Sequence, residues 1–301
     1  MKIFVDTAEI TEIREAFSWG IVDGVTTNPS LIKQAVEARD KVELEEYIRE
    51  ICRAVNGPVS LEVIGLSSES MIEEGKLLYE KFNRISDNVV IKIPISTNTK
   101  EESNGNYEGL KAIKALSESG IPINTTLIMK PEQALLAAKA GADFVSPFAG
   151  RIDDFIRSKV GLTRGEDYAK GDYHDAELLA KAHEIGTLPR HRYLTGKSLD
   201  KIYFDEEILE SKNSIQDKGI KSGVALVRSI KQIFENYNFE TEVLAASMRN
   251  SRQVREVAEA GADIATIPFK VIEEMIGHYK TESGIQSFSE DVVPEYEGIF
   301  K

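Results

Sequence analysis

Cysteine is almost absent from this chain. Its 301 residues include one, Cys52, so no disulfide can form within the chain and an oxidising compartment is not indicated. A lone thiol of this kind is usually a small buried hydrophobe. Long apolar runs are absent too: none approaches the ~20 residues a bilayer span needs. The opening MKIFVDTAEI lacks the basic-then-apolar layout of a secretory signal, so the expected location is the cytoplasm. Basic residues are outnumbered, with 37 Lys and Arg against 50 Asp and Glu, for a formal charge of -13. That surface repels nucleic acid and anionic membranes, which are bound chiefly by neutralising phosphates. A small anionic ligand would need particular Arg and Lys residues to reverse the field locally. Histidine is sparse, and His174, His183, His191 and His278 stand at no metal-ligand spacing. No glycine-rich phosphate loop or dinucleotide fingerprint follows a strand either. Neither a metal nor a cofactor is expected, which leaves side chains to carry any chemistry.

What is present is a repeated alternation. Short β-branched or apolar runs read as eight strands: KIFVD (Lys2 to Asp6), GVTTN (Gly24 to Asn28), VSLEVI (Val59 to Ile64), NVVIKIPI (Asn88 to Ile95), IPINTTLI (Ile121 to Ile128), DFVSPFA (Asp143 to Ala149), TEVLAAS (Thr241 to Ser247) and DIATIPF (Asp263 to Phe269). Between them lie stretches such as PEQALLAAKAGA and SRQVREVAEAGA, rich in helix formers with apolar residues three and four apart. Alternating strand and helix imply a parallel sheet covered by helices. The pattern echoes itself: Ala140-Gly141-Ala142-Asp143 and Ala260-Gly261-Ala262-Asp263 each lead into a strand, with glycine where a left-handed residue ends a helix. Gly120 repeats the device. Such turns suit a closed (β/α)8 barrel better than an open sheet, although a doubly wound fold also uses them. A barrel of about 250 residues plus insertions accounts for the length as one domain.

The rhythm fails between about residues 155 and 222, a polar stretch containing KGDYHD, GTLPRHR and DEEILESKNSIQDKG. A connection that long inside a compact domain is usually a lid, an added subdomain or a disordered segment. Because it follows a strand, it is expected to emerge over the C-terminal face of the barrel, where active sites sit.

Lys92 is the most anomalous residue, because it interrupts VVIKIPI, a run with the apolar character of a strand buried on both faces. Burial strips solvation from an ammonium and favours the neutral amine, the form that attacks a carbonyl. The alternative is a lysine that snorkels to the surface from a strand end. Lys270, after the eighth strand, is a rival nucleophile whose terminal position suits the rim. Asp6 ends the first strand and Glu62 stands among apolar residues in SLEVIG, so two carboxylates accompany the lysine on neighbouring strands. A carboxylate beside an amine can move protons to and from hydroxyls and water. Taken singly, Asp6 can be a helix N-cap and Glu62 half of a structural ion pair. Thr26, Asn28, Asn124, Thr126 and Ser146 lie near the ends of successive strands and offer neutral donors and acceptors for a polyol. Each alone reads equally as a turn or cap residue. Arg151, Ser247 and Arg249 follow the sixth and seventh strands, where barrels commonly bind phosphate. Their alternative is a solvated salt bridge.

The segments FVDT, GVTTNPSLI, SLEVIG, VVIKIPI, EGLKAI, GIPINTTLI, GADFVSPFAGRIDD, ETEVLAASMRN and GADIATIPF together resemble the small transaldolase and fructose-6-phosphate aldolase family. The likeness runs from Met1 to about Asp154 and from about Gly223 to Tyr279. It implies a (β/α)8 barrel that needs no metal and transfers a dihydroxyacetone unit between sugar phosphates through a lysine Schiff base. By motif, Lys92 corresponds to the Schiff-base lysine and Asp6 to the acid/base at the cleaved bond. Glu62 and Thr126 correspond to the pair that positions the catalytic water. Asn28, Asn124 and Ser146 correspond to the groups holding the dihydroxyacetone moiety, with Thr26 lining the pocket. Arg151, Ser247 and Arg249 correspond to the phosphate site. Direct fructose-6-phosphate aldolases tend to carry glutamine in place of Glu62 and tyrosine in place of Phe148, so the resemblance favours transfer over cleavage. Phe148 read by itself can be a packed aromatic at the barrel mouth. Two departures stand out, the stretch 155 to 222 and an added loop from Asn98 to Tyr107, and both bear on which sugars fit. Assembly into homo-oligomers is a further implication of the family.

Overall fold

A computed structural model of the chain describes residues 1–37, 39, 43–98, 106–159, 162–166, 206 and 216–300. Its eight parallel strands are β1 (Lys2–Asp6), β2 (Gly24–Thr26), β3 (Val59–Glu62), β4 (Val89–Pro94), β5 (Ile123–Ile128), β6 (Phe144–Pro147), β7 (Glu242–Ala245) and β8 (Ile264–Ile267). They close in sequence order, β1 pairing with both β2 and β8. The fold is therefore the (β/α)8 barrel expected from the alternation. All eight expected strands are present, most with ends drawn in by a residue or two. The chain turns outward once the inter-strand ladder ends. Asn28, Phe148 and Ser247 consequently sit just beyond their strands, on the C-terminal rim.

Helices α1 (Ile10–Ser18), α2 (Pro29–Glu37), α3 (Leu44–Ala54), α4 (Ser68–Ser86), α5 (Glu108–Ser117), α6 (Pro131–Ala140), α7 (Ala149–Lys159), α8 (Gly223–Tyr237), α9 (Ser251–Glu259) and α10 (Phe269–Ile276) lie between and after the strands, and α11 (Tyr279–Glu290) follows. Local sequence sets several boundaries. The side chains of Ser67, Ser222 and Asn250 accept hydrogen bonds from the first turns of α4, α8 and α9, satisfying donors that a helix start leaves open. Gly141 and Gly261 adopt φ of +101° and +87° where α6 and α9 give way to the next strand, as their motifs predict.

Alternation along the strands divides the core in two. Outward residues such as Val5, Leu61, Ile91, Ile93 and Ile123 pack against helix residues including Ile13, Ile51, Met71 and Leu116. Cys52 is fully buried in this shell, as expected of a small buried hydrophobe. Inside the barrel, Phe4, Leu244, Ala246 and Ile264 form a smaller apolar cluster, with Phe144 and Phe148 packed against it. The ring of Phe4 depends on Gly24, because a Cβ there would stand 2.7 Å from it. Strands β2 to β5 contribute the buried polar side chains Thr26, Ser60, Lys92, Asn124 and Thr126. The β2 to β5 side of the lumen is thus the more polar, and the cavity described below draws on both sides.

The stretch expected to break the pattern from residue 155 starts later, because 155–159 complete α7. At its far end Ser222 caps α8, which packs against both α6 and α7. Residues 160–161, 167–205 and 207–215 lie outside the described residues, and with them His174, His183, His191 and the expected cover over the C-terminal face. Residues 99–105 of the added loop after β4 do too. Among the described residues no helix is long and apolar enough to cross a membrane.

Candidate active site

The alternation of β4 points Val89, Ile91 and Ile93 into the helical shell, so Lys92 faces the lumen. Its register neighbours are Glu62 on β3 and Asn124 on β5. The side chain does not snorkel: Lys92 is 6% exposed, and its Nζ donates to the Thr27 carbonyl at 3.1 Å and lies 3.0 Å from Glu62 Oε2. Sequence reasoning expected carboxylates on neighbouring strands beside this amine; the structure makes Glu62 its acceptor and adds the Thr27 carbonyl, which had not been singled out. A proton leaving Lys92 has Glu62 within one hydrogen bond. Lys270, the rival, is exposed on α10.

Asp6 is not a helix cap, since α1 begins after Glu9. Its Oδ1 accepts from Thr26 Oγ1 at 2.9 Å, and Thr26 in turn meets the hydroxyl of Thr266 on β8. Burial raises the Asp6 carboxyl above its ordinary value, and the nearby charge of Lys92, the Thr26 bond and Arg249 partly offset this. Thr266 was missed from sequence. Its signal was present, since it alternates inward with the lumen residue Ile264, but a threonine in a strand is too common to single out.

Asp6, Thr26, Asn28, Lys92, Ser146, Phe148, Arg151, Ser247 and Arg249 all line one cavity of about 400 Å³. Three sequence candidates do not. Asn124 is fully buried beneath it, its amide donating to Ser60 Oγ at 3.1 Å and accepting from Ser146 Oγ at 2.7 Å. It holds Ser146 in place rather than facing the cavity. Glu62 reaches the site through Lys92. Thr126 sits at a bulge: β5 pairs with β6 at Thr125 and again at Ile128, with the register shifted between them and Leu127 in the left-handed region at φ +59°. Its Oγ1 is buried without a partner among the described residues. Asn28 serves two ends, because its Oδ1 caps α2 through Leu31 N at 3.0 Å while the residue lines the cavity.

The mouth is cationic. Arg151 lies over the Phe148 ring, 4.9 Å from its centroid, so Phe148 both packs on the lumen cluster and supports a rim arginine. Ser247 adopts φ +65°, a strained conformation for a residue with a side chain, in the loop that also carries Arg249. Arg249 donates from Nη2 to Asp154 Oδ2 at 2.9 Å, and its buried Nε has no acceptor among the described residues. Arg164, a cavity residue that sequence reasoning did not single out, donates to the same Asp154 oxygen at 2.9 Å. Among the described residues no three His, Cys, Asp or Glu side chains gather as metal ligands would.

A closed parallel barrel with a polar cavity at its C-terminal strand ends, built around a buried lysine, defines this protein as a barrel of the enzyme type. A sequence model of the Transaldolase/Fructose-6-phosphate aldolase family matches residues 3–185 and 200–297. A probable transaldolase of Caldicellulosiruptor saccharolyticus is 42% identical over 292 residues, covering 97% of this chain and 96% of that protein. A probable transaldolase of Aquifex aeolicus is 38% identical over 297 residues, covering 98% and 99%. The chain belongs to the transaldolase/fructose-6-phosphate aldolase family.

Proposed function

We propose that this protein is a transaldolase that carries a dihydroxyacetone unit from one sugar phosphate to another as a Schiff base on Lys92. The donors and acceptors are the pairs sedoheptulose 7-phosphate with glyceraldehyde 3-phosphate and fructose 6-phosphate with erythrose 4-phosphate. The observation that carries the reading is the buried Lys92 amine 3.0 Å from Glu62, in a cavity that Asp6 shares and arginines rim.

The steps follow from these positions. Lys92 passes a proton to Glu62, and the neutral amine attacks the ketose carbonyl to give a carbinolamine. Protonation of its hydroxyl releases water and leaves an iminium, with Glu62 and the unpartnered hydroxyl of Thr126 handling the proton and the water. Asp6 takes the proton from the sugar hydroxyl next to the bond that breaks. The bonding pair flows into the iminium, forming an enamine, and the aldose phosphate departs. Burial favours this role, since a carboxyl raised above its ordinary value is the stronger base. The enamine carbon then attacks the acceptor aldehyde, whose oxygen recovers the proton from Asp6, and water frees the new ketose from Lys92. Ser146, oriented by Asn124, and Asn28 hold the three-carbon unit, with Thr26 lining the pocket beside Asp6. Arg151, Ser247 and Arg249 bind the phosphate, where the acceptor-free Nε of Arg249 supports an anionic ligand. Phe148 offers no hydroxyl with which to protonate and release the three-carbon unit, which favours transfer to an aldehyde.

Borohydride added with fructose 6-phosphate is expected to leave a stable adduct on Lys92, located by peptide mass spectrometry, and Lys92→Ala to leave none. An adduct on another lysine overturns the assignment, and coupled assays with and without an acceptor aldehyde separate transfer from simple cleavage. Such substrates accord with the cytoplasmic location expected from sequence. A homo-oligomer is supported by the C-terminal segment, where α11 buries no residue and Phe288, Val293, Ile299 and Phe300 are exposed. Light scattering that finds only monomer removes that part of the reading.

A further inference from the structure

The rim contains a third arginine, Arg164, which lies outside the sequence segments that carried the family resemblance. Arg164 lies past the end of α7, in the short described piece 162–166 of the long connection between β6 and β7. It lines the same cavity as Arg151, Ser247 and Arg249. Its Nη1 and the Nη2 of Arg249 both donate to Asp154 Oδ2, each at 2.9 Å. One carboxylate oxygen therefore holds two guanidiniums side by side against their mutual repulsion.

That arrangement differs from an ordinary surface salt bridge. An exposed pair contributes little and leaves its side chains free to move. Here Asp154 and Arg249 are only 20% and 16% exposed, and although the Arg164 side chain is 36% exposed, the oxygen it contacts is the one that fixes Arg249. Each guanidinium has five N–H donors in a rigid fork, so bonding to Asp154 uses few of them. Arg249 Nε, buried and without an acceptor among the described residues, is one of those remaining. A tetrahedral oxyanion presents three acceptor oxygens, which two neighbouring forks suit better than either alone.

We propose that Arg164 is an additional ligand for the substrate phosphate and that Asp154 is a positioning residue that keeps it in register with Arg249. The inference rests on the phosphate reading of the rim given above and adds a residue from the long connection. Because Arg164 lines the site, the piece 162–166 becomes a determinant of preference for phosphorylated over unphosphorylated sugars.

The test uses the full chain and two readouts. Calorimetry with inorganic phosphate should show binding to the wild type, about tenfold weaker binding to Arg164→Gln, and partial recovery in Arg164→Lys, which restores charge without the fork. With fructose 6-phosphate and fructose as alternative donors, Arg164→Gln should lower the preference for the phosphorylated sugar about tenfold, through KM more than kcat. Asp154→Asn, which weakens the hold on both guanidiniums, should lower the same preference. Wild-type phosphate affinity in Arg164→Gln overturns the proposal, as does a loss that falls equally on both sugars. Phosphate affinity is read without turnover. An Arg164-dependent affinity in a protein that does not process fructose 6-phosphate therefore upholds this proposal and rejects the transaldolase reading.

Discussion

Gly150 offers the sharpest test of how the rim is built. A Cβ on this residue, in the first turn of α7, would lie 2.1 Å from the carbonyl oxygen of Ser247, 2.8 Å from Arg249 Nε and 3.0 Å from Arg249 Cγ. Ordinary contact begins near 3.4 Å, so in Gly150→Ala the Ser247 carbonyl must retreat by about 1.3 Å. There is little slack for such a move, because Ser247 is already held at φ +65° and Ala149 N bonds to the carbonyl of the preceding Ala246 at 3.0 Å. Overpacking of this kind costs about 1–3 kcal/mol, equivalent to a melting temperature lower by about 2 to 6 °C in a protein of this size. The functional cost should be larger. A displacement of about 1 Å in a positioning group can remove up to 10²-fold in rate, so kcat/KM for fructose 6-phosphate should fall by about 10 to 100-fold, mainly through KM. Steady-state kinetics and thermal unfolding read both quantities. Gly277→Ala is the control, since nothing lies within 4 Å of its added methyl group. A Gly150→Ala protein with wild-type KM and melting temperature would refute the claim that close backbone approach sets the position of Ser247 and Arg249.

Two further outcomes are expected. Glu62→Ala, which deprives Lys92 of its acceptor at 3.0 Å, should lower kcat by about 10²–10⁴ and slow borohydride trapping; trapping at the wild-type rate would remove Glu62 from the proton transfers. Asp153 is 9% exposed and accepts from Gly223 N at 2.8 Å and from Gln253 Nε2 at 2.7 Å. Its carboxyl is pushed up to about 6, by burial first, against the Gly223 bond, Arg157 and the Gln253 bond. The folded state therefore holds this proton more tightly than the unfolded state does. The group's contribution to stability is complete below its ordinary value of 3.8 and is lost as pH rises through about 6, a difference of about 3 kcal/mol. Chemical denaturation of wild type and Asp153→Asn should show the stability difference shifting against the wild type by up to that amount between pH 4 and 6.5. A difference that stays flat over this window contradicts the assignment.

The sequence by itself determined the barrel and which candidate residues gather at its mouth, because both depend on short-range regularities. Strand and helix periods decide which residues face the lumen, and in a parallel barrel active groups collect at C-terminal strand ends whatever their separation along the chain. Lys92 was legible as an interruption of an apolar strand, and Asp6 as a polar residue at a strand end. Tertiary structure alone decided the rest. Asn124 proved to orient Ser146, because register and lumen packing, not residue type, determine whether an amide reaches the cavity. The bulge that turns Thr126 arises from pairing between β5 and β6, which leaves no mark in either strand's composition. The sharing of Asp154 by Arg164 and Arg249, and the closeness of Gly150 to Ser247, bring together loops whose conformations follow no local period. Such contacts form only once the barrel has brought its loops to a common rim.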